Sequence, residues 1–366
     1  MELGGVTEKF GIEYYLQVVR ERRFPLELWR DLGSHSLFGL LVDEELGGYG
    51  VSIPTFIKAI RTLSYSVGTL AYLFLAQNLV SRMVALNGVG AQLDNLLPKL
   101  IGGEARVAMG LTEESSGSDA LGVTTSAQRV AGGYRIVGRK DYVTDAARVD
   151  YIIIVAKTSS NDRARSLSAF LVPTHNSGLT FTEIYKLGLD FLSLNSVTID
   201  TIIGAQSLLG KENEAWAYLS ETFALDRLAL AAMLNGVSER LLEDACEYAR
   251  LRVVFGKPIG ANQGVQFPLA RIHTELLASK ALVDWVAEQY TGSQQDLTAN
   301  TAAALYHSAR CAYEVADEAL QVKGAKGYLE GFEEACFRDI RYYRIGPLSE
   351  ELSLSTIARK GLRLPS

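Results

Sequence analysis

The spacing of hydrophobic residues divides the chain into three successive parts. In the first hundred residues apolar side chains recur every three or four positions, as at Phe56, Ile60 and Leu63, which is typical of amphipathic helices. A glycine-rich segment at residues 46–50 separates two such helices. We therefore predict a helical N-terminal domain over residues 1–106.

The pattern then changes to that of β-strands. Residues 151–156 form a continuous apolar run, residues 167–173 form a second, and residues 196–200 alternate. Residues 130–138 predict a hairpin with a Gly-Gly turn. We predict a middle domain over residues 107–212, folded as a small β-barrel or β-sandwich.

The remainder returns to helical spacing. Apolar positions at i, i+3, i+4 and i+7 predict four helices in a C-terminal bundle domain over residues 213–366. The predicted helices cover residues 216–251, 266–291, 297–323 and 348–362. The order α, β, α gives an α+β protein with segregated helical and β domains.

Composition narrows the range of functions. The 366 residues are 48% hydrophobic and 21% charged, which is typical of a globular protein, and the net charge of −6 argues against a nucleic-acid partner. Three cysteines and four histidines are scattered without metal-ligand spacing, so we expect no metal site. The start lacks the pattern of a signal peptide, and no apolar run reaches the length of a membrane span. We expect a cytoplasmic protein.

A glycine- and serine-rich loop follows the first predicted strand. Residues 109–119 read Met-Gly-Leu-Thr-Glu-Glu-Ser-Ser-Gly-Ser-Asp, and such a loop offers backbone N–H groups and hydroxyls to anionic oxygens. An ordinary turn can have the same composition, so this loop alone does not decide the matter. Residues 140–145, Lys-Asp-Tyr-Val-Thr-Asp, place an aromatic ring and a threonine shortly afterwards.

Three more motifs lie in the helical C-terminal part. Residues 248–259 read Tyr-Ala-Arg-Leu-Arg-Val-Val-Phe-Gly-Lys-Pro-Ile, and residues 321–328 read Gln-Val-Lys-Gly-Ala-Lys-Gly-Tyr. Arg252 suits a phosphate because a planar guanidinium pairs two oxygens at once. Residues 337–349 form the last motif, Phe-Arg-Asp-Ile-Arg-Tyr-Tyr-Arg-Ile-Gly-Pro-Leu-Ser.

Together with residues 44–50, these segments resemble signatures of the acyl-CoA dehydrogenase family, in the same order and over essentially the whole chain. The family patterns are T-E-P-x-x-G-S-D, K-x-W-I-T-N, Y-A-x-x-R-x-x-F-G-K-P-I…Q and Q-x-x-G-G-x-G. The resemblance implies FAD as cofactor, an acyl-CoA or acyl-carrier-protein substrate, and electron-transfer flavoprotein or oxygen as electron acceptor. It also implies that FAD lies across a subunit contact, consistent with a homodimer or homotetramer, while a heteromer stays open.

The resemblance also assigns roles to individual residues. Thr112 would bond the flavin ring, Tyr142 would cover one flavin face, and Thr144 would bond the flavin near its reactive nitrogen. Arg252 and Gln263 would reach the FAD phosphates or adenosine of a neighbouring subunit. The complete set of cofactor contacts that it implies is Met109, Leu111, Thr112, Gly117, Ser118, Tyr142, Thr144, Arg252, Phe255, Ile259, Gln263, Gln321, Val322, Gly324, Ala325, Ser349 and Glu351.

The substrate side departs from the family at its catalytic base. In the family pattern R-D-x-x-x-x-x-I-x-E-G-T the Glu removes the proton beside the thioester, and its position here is Pro347, which has no ionisable group. Some relatives place the base on an earlier helix just before an arginine, a position held here by Asp226. We expect Asp226 to pair with Arg227 or a helix neighbour, to contact the substrate, or to act as the base. Arg227 matches the family's arginine near the acyl-thioester pocket. Glu350 is a weaker candidate base.

Other departures add negative charge near the expected cofactor. Asp145 replaces a usual Asn, Asp190 replaces a usual Arg, and Glu351 stands where an amide often contacts the cofactor. We expect this charge to weaken FAD binding. Ser118, in contrast, keeps its family identity and would contact substrate as well as pyrophosphate.

Three hypotheses of function follow. The first is a divergent acyl-thioester dehydrogenase that uses Asp226 or a substrate group as its base. The second is a flavin-dependent monooxygenase or oxidase on the same fold, which needs no glutamate. The third is a base-less FAD-binding subunit of a heteromeric dehydrogenase, or a purely structural chain.

Overall fold

The computed structural model describes residues 3–159, 163–290 and 294–365. Its N-terminal part is helical, as predicted, because apolar stripes such as that of α4 pack against the helices of the C-terminal part. The helices of this part are α1 (Leu3–Lys9), α2 (Ile12–Arg20), α3 (Leu26–Ser34), α4 (Ile53–Val67), α5 (Ala71–Asn87) and α6 (Leu97–Ile101).

Among the described residues, one helical stretch is long and apolar enough to cross a membrane, judged by length and composition only. It is Ile53–Asn87, which comprises α4 and α5, and 72% of its most apolar window is buried inside the protein. The buried residues of α4, among them Phe56, Ile57 and Ile60, belong to one hydrophobic core shared with α7 of the C-terminal part. Such burial is typical of a core helix.

The middle part is a single hydrogen-bonded sheet of eight strands in the order β6-β7-β3-β2-β4-β5-β8, with β1 beside β4. The strands are β1 (Val107–Gly110), β2 (Ser126–Val130), β3 (Gly133–Thr144), β4 (Tyr151–Lys157), β5 (Leu167–Pro173), β6 (Leu179–Glu183), β7 (Leu194–Gly204) and β8 (Leu208–Leu209). β2 joins β4 through one residue pair, Ser126 with Lys157, and side chains of β3 and β7 share one core with side chains of β4 and β5. This confirms a small sandwich-like domain.

The two faces of β4 belong to different cores. Ile152 and Ile154 pack inside the folded sheet, whereas Ile153 and Val155 pack against α5, α6 and the start of α7. Because successive side chains of a strand point to opposite faces, a strand buried on both faces is apolar throughout. The continuous apolar run in the sequence has this cause.

The predicted hairpin is confirmed, but its turn is not Gly-Gly. Val130 pairs with Gly133, so the two turn residues are Ala131 and Gly132. Gly132 has a φ of 78°, which favours glycine. Gly133 already belongs to β3, and a Cβ there would lie 1.9 Å from the carbonyl oxygen of Ile203. The second glycine is therefore required by strand packing rather than by the turn.

The C-terminal part contains three long helices and two short ones. They are α7 (Ala215–Leu251), α8 (Gln263–Glu288), α9 (Gln294–Lys323), α10 (Phe332–Ile340) and α11 (Glu350–Thr356). The prediction of one helix over residues 348–362 was wrong in extent: the Ser349 hydroxyl accepts from the Leu352 N–H and starts α11 there, and a π-helical turn replaces the α-helix from Ile357. The predicted end of the second helix, residue 291, lies outside the described residues.

The three parts meet at one buried carboxylate. Asp339 on α10 accepts hydrogen bonds from Tyr15 (2.9 Å) and Thr69 (2.5 Å) of the N-terminal helices, and from the backbone N–H of Leu189 in the middle part. Its neighbour Arg338 donates to the carbonyl oxygen of Leu187. The Arg-Asp pair of the last motif thus joins all three parts of the fold.

Candidate functional site

The glycine- and serine-rich loop is anchored by a buried ion pair. Lys140 Nζ lies 2.8 Å from Glu113 Oε1, with both side chains almost fully buried, and it also donates to the Leu111 carbonyl. Burial raises the pKa of Glu113, but hydrogen bonds from Lys140, Thr124 and Thr125 outweigh it and bring the pKa to about 2. Burial lowers the pKa of Lys140 to about 8, so both groups are ionised at neutral pH.

The exposed end of this loop has room for an anionic ligand. Gly117 and Ser118 are exposed, a Cβ on Gly117 would meet nothing within 4 Å, and neither backbone N–H has a hydrogen-bond partner within the described ranges. Exposed backbone donors of this kind suit phosphate oxygens. Met109 and Leu111, at the base of the loop, are instead partly buried against the core.

A bulge in β3 brings the second motif beside the loop. The N–H of Asp141 donates to the Thr112 carbonyl (2.8 Å), and the pairing of β3 with β7 shifts register between Lys140 and Val143. Tyr142 sits in this bulge with a φ of 59° and 58% of its side chain exposed. A left-handed tyrosine that is held outwards in this way is typical of a functional surface.

One tyrosine, Tyr72, lies near both the end of β3 and Asp226, the predicted base. Tyr72 on α5 interacts with the Thr144 hydroxyl, and it lies close enough to Asp226 on α7 for that carboxylate to raise its pKa. Burial is the larger cause of the raised Tyr72 pKa. Thr144 and Asp226, which are 82 residues apart in sequence, therefore both lie near the Tyr72 side chain.

Asp226 is enclosed by protein and yet free of partners. Within the described residues its carboxyl makes no hydrogen bond or ion pair, and its side chain stays partly accessible. Burial raises its pKa to about 7, against the opposing charge of Arg227. The expectation that Asp226 pairs with Arg227 was wrong, because the Asp226 carboxyl and the Arg227 guanidinium do not come within ion-pair distance of each other. Instead, Arg227 has a buried Nη1 that lacks a hydrogen-bond partner.

The loop that carries Pro347 contains no replacement base. Glu350, the weaker candidate, accepts two hydrogen bonds from Arg344 (2.5 and 3.1 Å) and lies 3.5 Å from Arg310. The hydrogen bond from Arg344 lowers the pKa of Glu350. This carboxylate is therefore already paired with a cation and is a weak proton acceptor. Ser349 is used as the helix cap, and Glu351 is exposed.

Two of the three substitutions that add negative charge, Asp145 and Asp190, lie beside a cation. Asp145 is buried and accepts from Ser193, and its carboxylate lies 3.2 Å from Arg106. Asp190 forms an ion pair with Arg338 at 2.6 Å. Each of these two carboxylates therefore already has a cation as neighbour, and the effect of the added charge on cofactor binding stays a prediction.

The remaining predicted cofactor residues form a second group at the far end of α7. Phe255 is fully exposed at the tip of a small hairpin formed by β9 (Val253–Val254) and β10 (Lys257–Pro258). Lys326 lies 5.6 Å above the Tyr248 ring, which brings the turn after α9 to this end of α7. The surface residues of this group are Arg252, Phe255, Gln263, Gln321, Gly324 and Ala325, and Ile259 and Val322 are partly buried beneath them.

The far-end group lies at a distance from Asp226 within one chain. Asp226 and Arg252 belong to the same continuous helix and its cap, and 26 residues at the rise of an α-helix separate them by about 40 Å. That span is much longer than a dinucleotide. A dinucleotide bound beside Asp226 would therefore not reach Arg252 of the same chain.

Comparison with known protein families identifies the chain. Models of the acyl-CoA dehydrogenase N-terminal, middle and C-terminal domains match residues 6–104, 108–202 and 213–362. An acyl-CoA dehydrogenase of Bacillus subtilis (strain 168) is 30% identical over 340 residues, which cover 92% of this chain and 89% of that protein. The chain belongs to the acyl-CoA dehydrogenase family. Like its relatives, this acyl-CoA dehydrogenase family member is a flavoprotein oxidoreductase whose cofactor is FAD.

Two further similarities bear on partners and fold. The caffeyl-CoA reductase–Etf complex subunit CarC of Acetobacterium woodii is 28% identical over 333 residues, covering 90% of this chain and 88% of that protein. The structure of butyryl-CoA dehydrogenase from Megasphaera elsdenii matches with a TM-score of 0.88 and 25% identity, covering 98% of each chain. This acyl-CoA dehydrogenase family member therefore shares both the domain order and the three-dimensional arrangement of its relatives.

Sequence reasoning missed the tyrosines of the site. Tyr72, Tyr342 and Tyr343 come from distant parts of the chain and lie close enough to Asp226 for its charge to raise the pKa of each. The Tyr-Tyr pair stood within the quoted motif, but nothing in its spacing signalled a contact with α5 or α7. The anchoring role of Glu113 was missed as well, although it and Lys140 both lay in motifs.

Proposed function

We propose that this protein oxidises an acyl thioester between its α and β carbons, with Asp226 as the base. The observation that supports this most strongly is the free, partly accessible carboxyl of Asp226 beside Tyr72 and Thr144. A carboxyl with a pKa near 7 suits general base catalysis at neutral pH, because it is substantially ionised and still binds a proton firmly. Such a base compensates for Pro347.

In the proposed reaction the chain's residues bind, orient and accept a proton. The Asp226 carboxylate takes the proton from the α-carbon, and the electron pair of that C–H bond forms the new double bond. FAD, when bound, supplies the acceptor for the hydride that leaves the β-carbon. Arg227 would bind the polar part of the substrate through its unpartnered Nη1, since a buried donor without a partner is costly.

The cofactor contacts are proposed in two groups. Thr112, Gly117, Ser118, Tyr142 and Thr144 of one protomer would hold the flavin and pyrophosphate. The far-end group around Arg252 would come from a second copy of the chain. The electron acceptor that we propose is an electron-transfer flavoprotein, since a relative is named as a subunit of a complex with Etf, and we propose a cytoplasmic location.

The test is the anaerobic visible spectrum of the holoprotein with a panel of acyl-CoA thioesters. We expect at least one thioester to bleach the flavin, and the Asp226→Asn variant to bleach at least about 100-fold more slowly. Asp244→Asn is the matched control, because Asp244 lies on the same helix and is paired with Arg240 at 2.9 Å. Asp226→Glu should retain part of the rate.

The pH dependence gives a second readout. Only the carboxylate form of Asp226 accepts a proton, so the bleaching rate of the wild type should rise as the pH passes about 7 and level off above it. Unchanged bleaching in Asp226→Asn would exclude Asp226 as the base. Rapid reoxidation by air with hydroxylated product would favour the monooxygenase alternative. A flavin that bleaches only after a second, related chain is added would favour the base-less subunit.

A further inference from the structure

A buried carboxylate lies in the bulge of β3. The register shift leaves two residues of β3, Asp141 and Tyr142, opposite the single residue Ser196 of β7. The Asp141 side chain is only 5% exposed, and aspartates are rarely buried in this way without partners. Tyr142 has a left-handed backbone, a strained conformation that persists only where its surroundings fix it. The shape of the bulge therefore depends on the contacts that its two residues make.

Asp141 forms hydrogen bonds in two directions. Towards the glycine- and serine-rich loop, its N–H donates to the Thr112 carbonyl oxygen (2.8 Å), and its Oδ2 accepts from the backbone N–H of Glu114 (3.1 Å). Towards β7, its Oδ1 accepts from the Ser196 hydroxyl (2.5 Å). The same Oδ1 accepts from the Nε of Arg139 (2.9 Å), whose Nη2 also donates to the Ser196 hydroxyl oxygen (3.2 Å). One residue thus joins the loop, β3 and β7.

The charge of Asp141 strengthens these contacts. Burial raises the pKa of Asp141, but the hydrogen bonds from Ser196 and Arg139 outweigh it and bring the pKa below its usual value. The carboxyl group is therefore ionised at neutral pH. Hydrogen bonds to an ionised acceptor are shorter and stronger than those between neutral groups. Charge-assisted bonds to one carboxylate therefore fix the loop relative to the bulge.

The family pattern assigns no role to this position. In K-x-W-I-T-N the place of Asp141 is the open x, whereas its neighbours have expected cofactor roles. Asp141 is hydrogen-bonded to Thr112 across the fold and is linked to Tyr142 along the chain. These are two of the residues that we propose to hold the flavin. The contacts of Asp141 therefore set the position of one relative to the other.

We propose that Asp141 is a positioning residue of the FAD site, which holds Thr112 and Tyr142 in the arrangement in which both contact one flavin. This rests on the flavin contacts proposed for these two residues. The exposed Tyr142 ring, and the N–H groups of Gly117 and Ser118 that are unpartnered within the described ranges, fit such a ligand. Without the carboxylate the loop and the bulge would have to be ordered when FAD binds, which costs affinity.

The experiment measures the affinity and the fluorescence of FAD bound to the full-length protein. A tyrosine ring that stacks on a flavin quenches its fluorescence. For Asp141→Ala we expect the dissociation constant of FAD to be at least about 10-fold higher, and the FAD that stays bound to be more fluorescent, because Tyr142 no longer covers it. Asp141→Asn should fall between this variant and the wild type. Its amide oxygen still accepts from Ser196, but its amide nitrogen does not accept from the Glu114 N–H.

A double variant separates positioning from a general loss of stability. Tyr142→Ala should itself raise the fluorescence of bound FAD. Adding Asp141→Ala should raise it no further, because the ring through which Asp141 affects the fluorescence is then absent. Asp200→Ala is the matched control, since Asp200 on β7 also pairs with an arginine of β3, Arg135, but both side chains are largely exposed. It should leave the affinity and the fluorescence unchanged.

The outcomes also separate this inference from the proposed oxidation. Wild-type affinity and fluorescence in Asp141→Ala would overturn it, and so would a further rise of fluorescence in the double variant. Where Asp141→Ala does not fold, Ser196→Ala removes a single bond to the carboxylate and should shift both quantities in the same direction by less. Unchanged values in Ser196→Ala and Asp141→Asn would likewise overturn it. No thioester is used. A wild type that bleaches with no thioester, combined with the expected behaviour of the variants, would therefore sink the proposed oxidation and support this inference.

Discussion

At the scale of single residues, the position of Asp226 opposes stability. A carboxyl with a pKa of about 7 in the folded chain and 3.8 when free binds its proton more tightly in the folded state. That contribution to stability is fully present below pH 3.8, and it is lost as the pH rises to about 7. The difference between the two pKa values corresponds to about 4 kcal/mol. The ionised Asp226 carboxylate, which is the proposed base, therefore destabilises the fold at neutral pH.

Asp226→Asn should therefore be more stable than the wild type at pH 8. We expect the free energy of unfolding of the wild type to fall by roughly 4 kcal/mol between pH 4 and pH 8 relative to the variant, because asparagine does not ionise. Denaturant unfolding at several pH values measures this difference. Parallel pH curves for the two proteins would contradict the raised pKa. Glu350→Gln should show the opposite sign, since the ion pair with Arg344 favours the ionised form.

The candidate carboxyl at position 226 could be identified from the sequence, but its surroundings could not. Asp226 precedes an arginine in a motif, and Pro347 falls at a countable distance from Asp339. Tyr72 meets Asp226 only because α5 and α7 pack together, and no local pattern records a contact between residues so far apart. The predicted ion pair was wrong for the same reason. Arg227 follows Asp226 in the sequence, but the two side chains do not pair in the fold.

At the scale of elements, apolar periodicity predicted the bounds of those helices and strands whose position depends on burial alone. β5 was predicted at its observed bounds, and α7 within one residue at its start, because a buried strand and a buried helix face each leave a simple pattern. α10 and β6 were missed, since short elements expose too few positions to show a period. The extent of α11 depended on a single cap at Ser349, which hydrophobic spacing does not report.

The loop of the first motif should depend on its buried ion pair. Lys140→Met leaves Glu113 buried without its cation, which costs about 3–5 kcal/mol, and should lower the FAD content because the loop loses its anchor. Thermal unfolding and the visible absorbance per mole of protein measure the two effects. The double variant Glu113→Gln/Lys140→Met should recover part of the stability.

A matched control tests whether the burial of this pair matters. Arg135 on the same strand pairs with Asp200 at 3.1 Å, and both side chains are largely exposed. Arg135→Ala should therefore change stability by less than about 1 kcal/mol and leave FAD content unchanged. A Lys140→Met protein with full FAD content would show that the loop holds its shape without the ion pair.

At the scale of the whole molecule, buried contacts join the three parts of the fold, while one helix exposes apolar side chains to solvent. Asp339 fastens the three parts together from within, through Tyr15, Thr69 and Leu189. α8, in contrast, presents large apolar side chains to solvent. Phe267, Leu277 and Trp285 recur at helical spacing and are 62%, 52% and 49% exposed. An apolar stripe of this kind on a well-packed helix is typical of a surface that pairs with another chain.

We expect that surface to hold two copies of this chain together and thereby to complete the FAD site. Leu277→Asp should convert the oligomer to monomer and lower the FAD content, because the Arg252 group then cannot reach the loop of a second protomer. Arg252→Ala should lower the FAD content chiefly by removing a phosphate contact, with assembly weakened only as far as FAD bridges the protomers. Light scattering and visible absorbance measure both properties. Leu86→Asp, at an exposed apolar residue outside the cofactor motifs, is the control. A Leu277→Asp monomer that keeps its full FAD content would place the whole cofactor site within one chain.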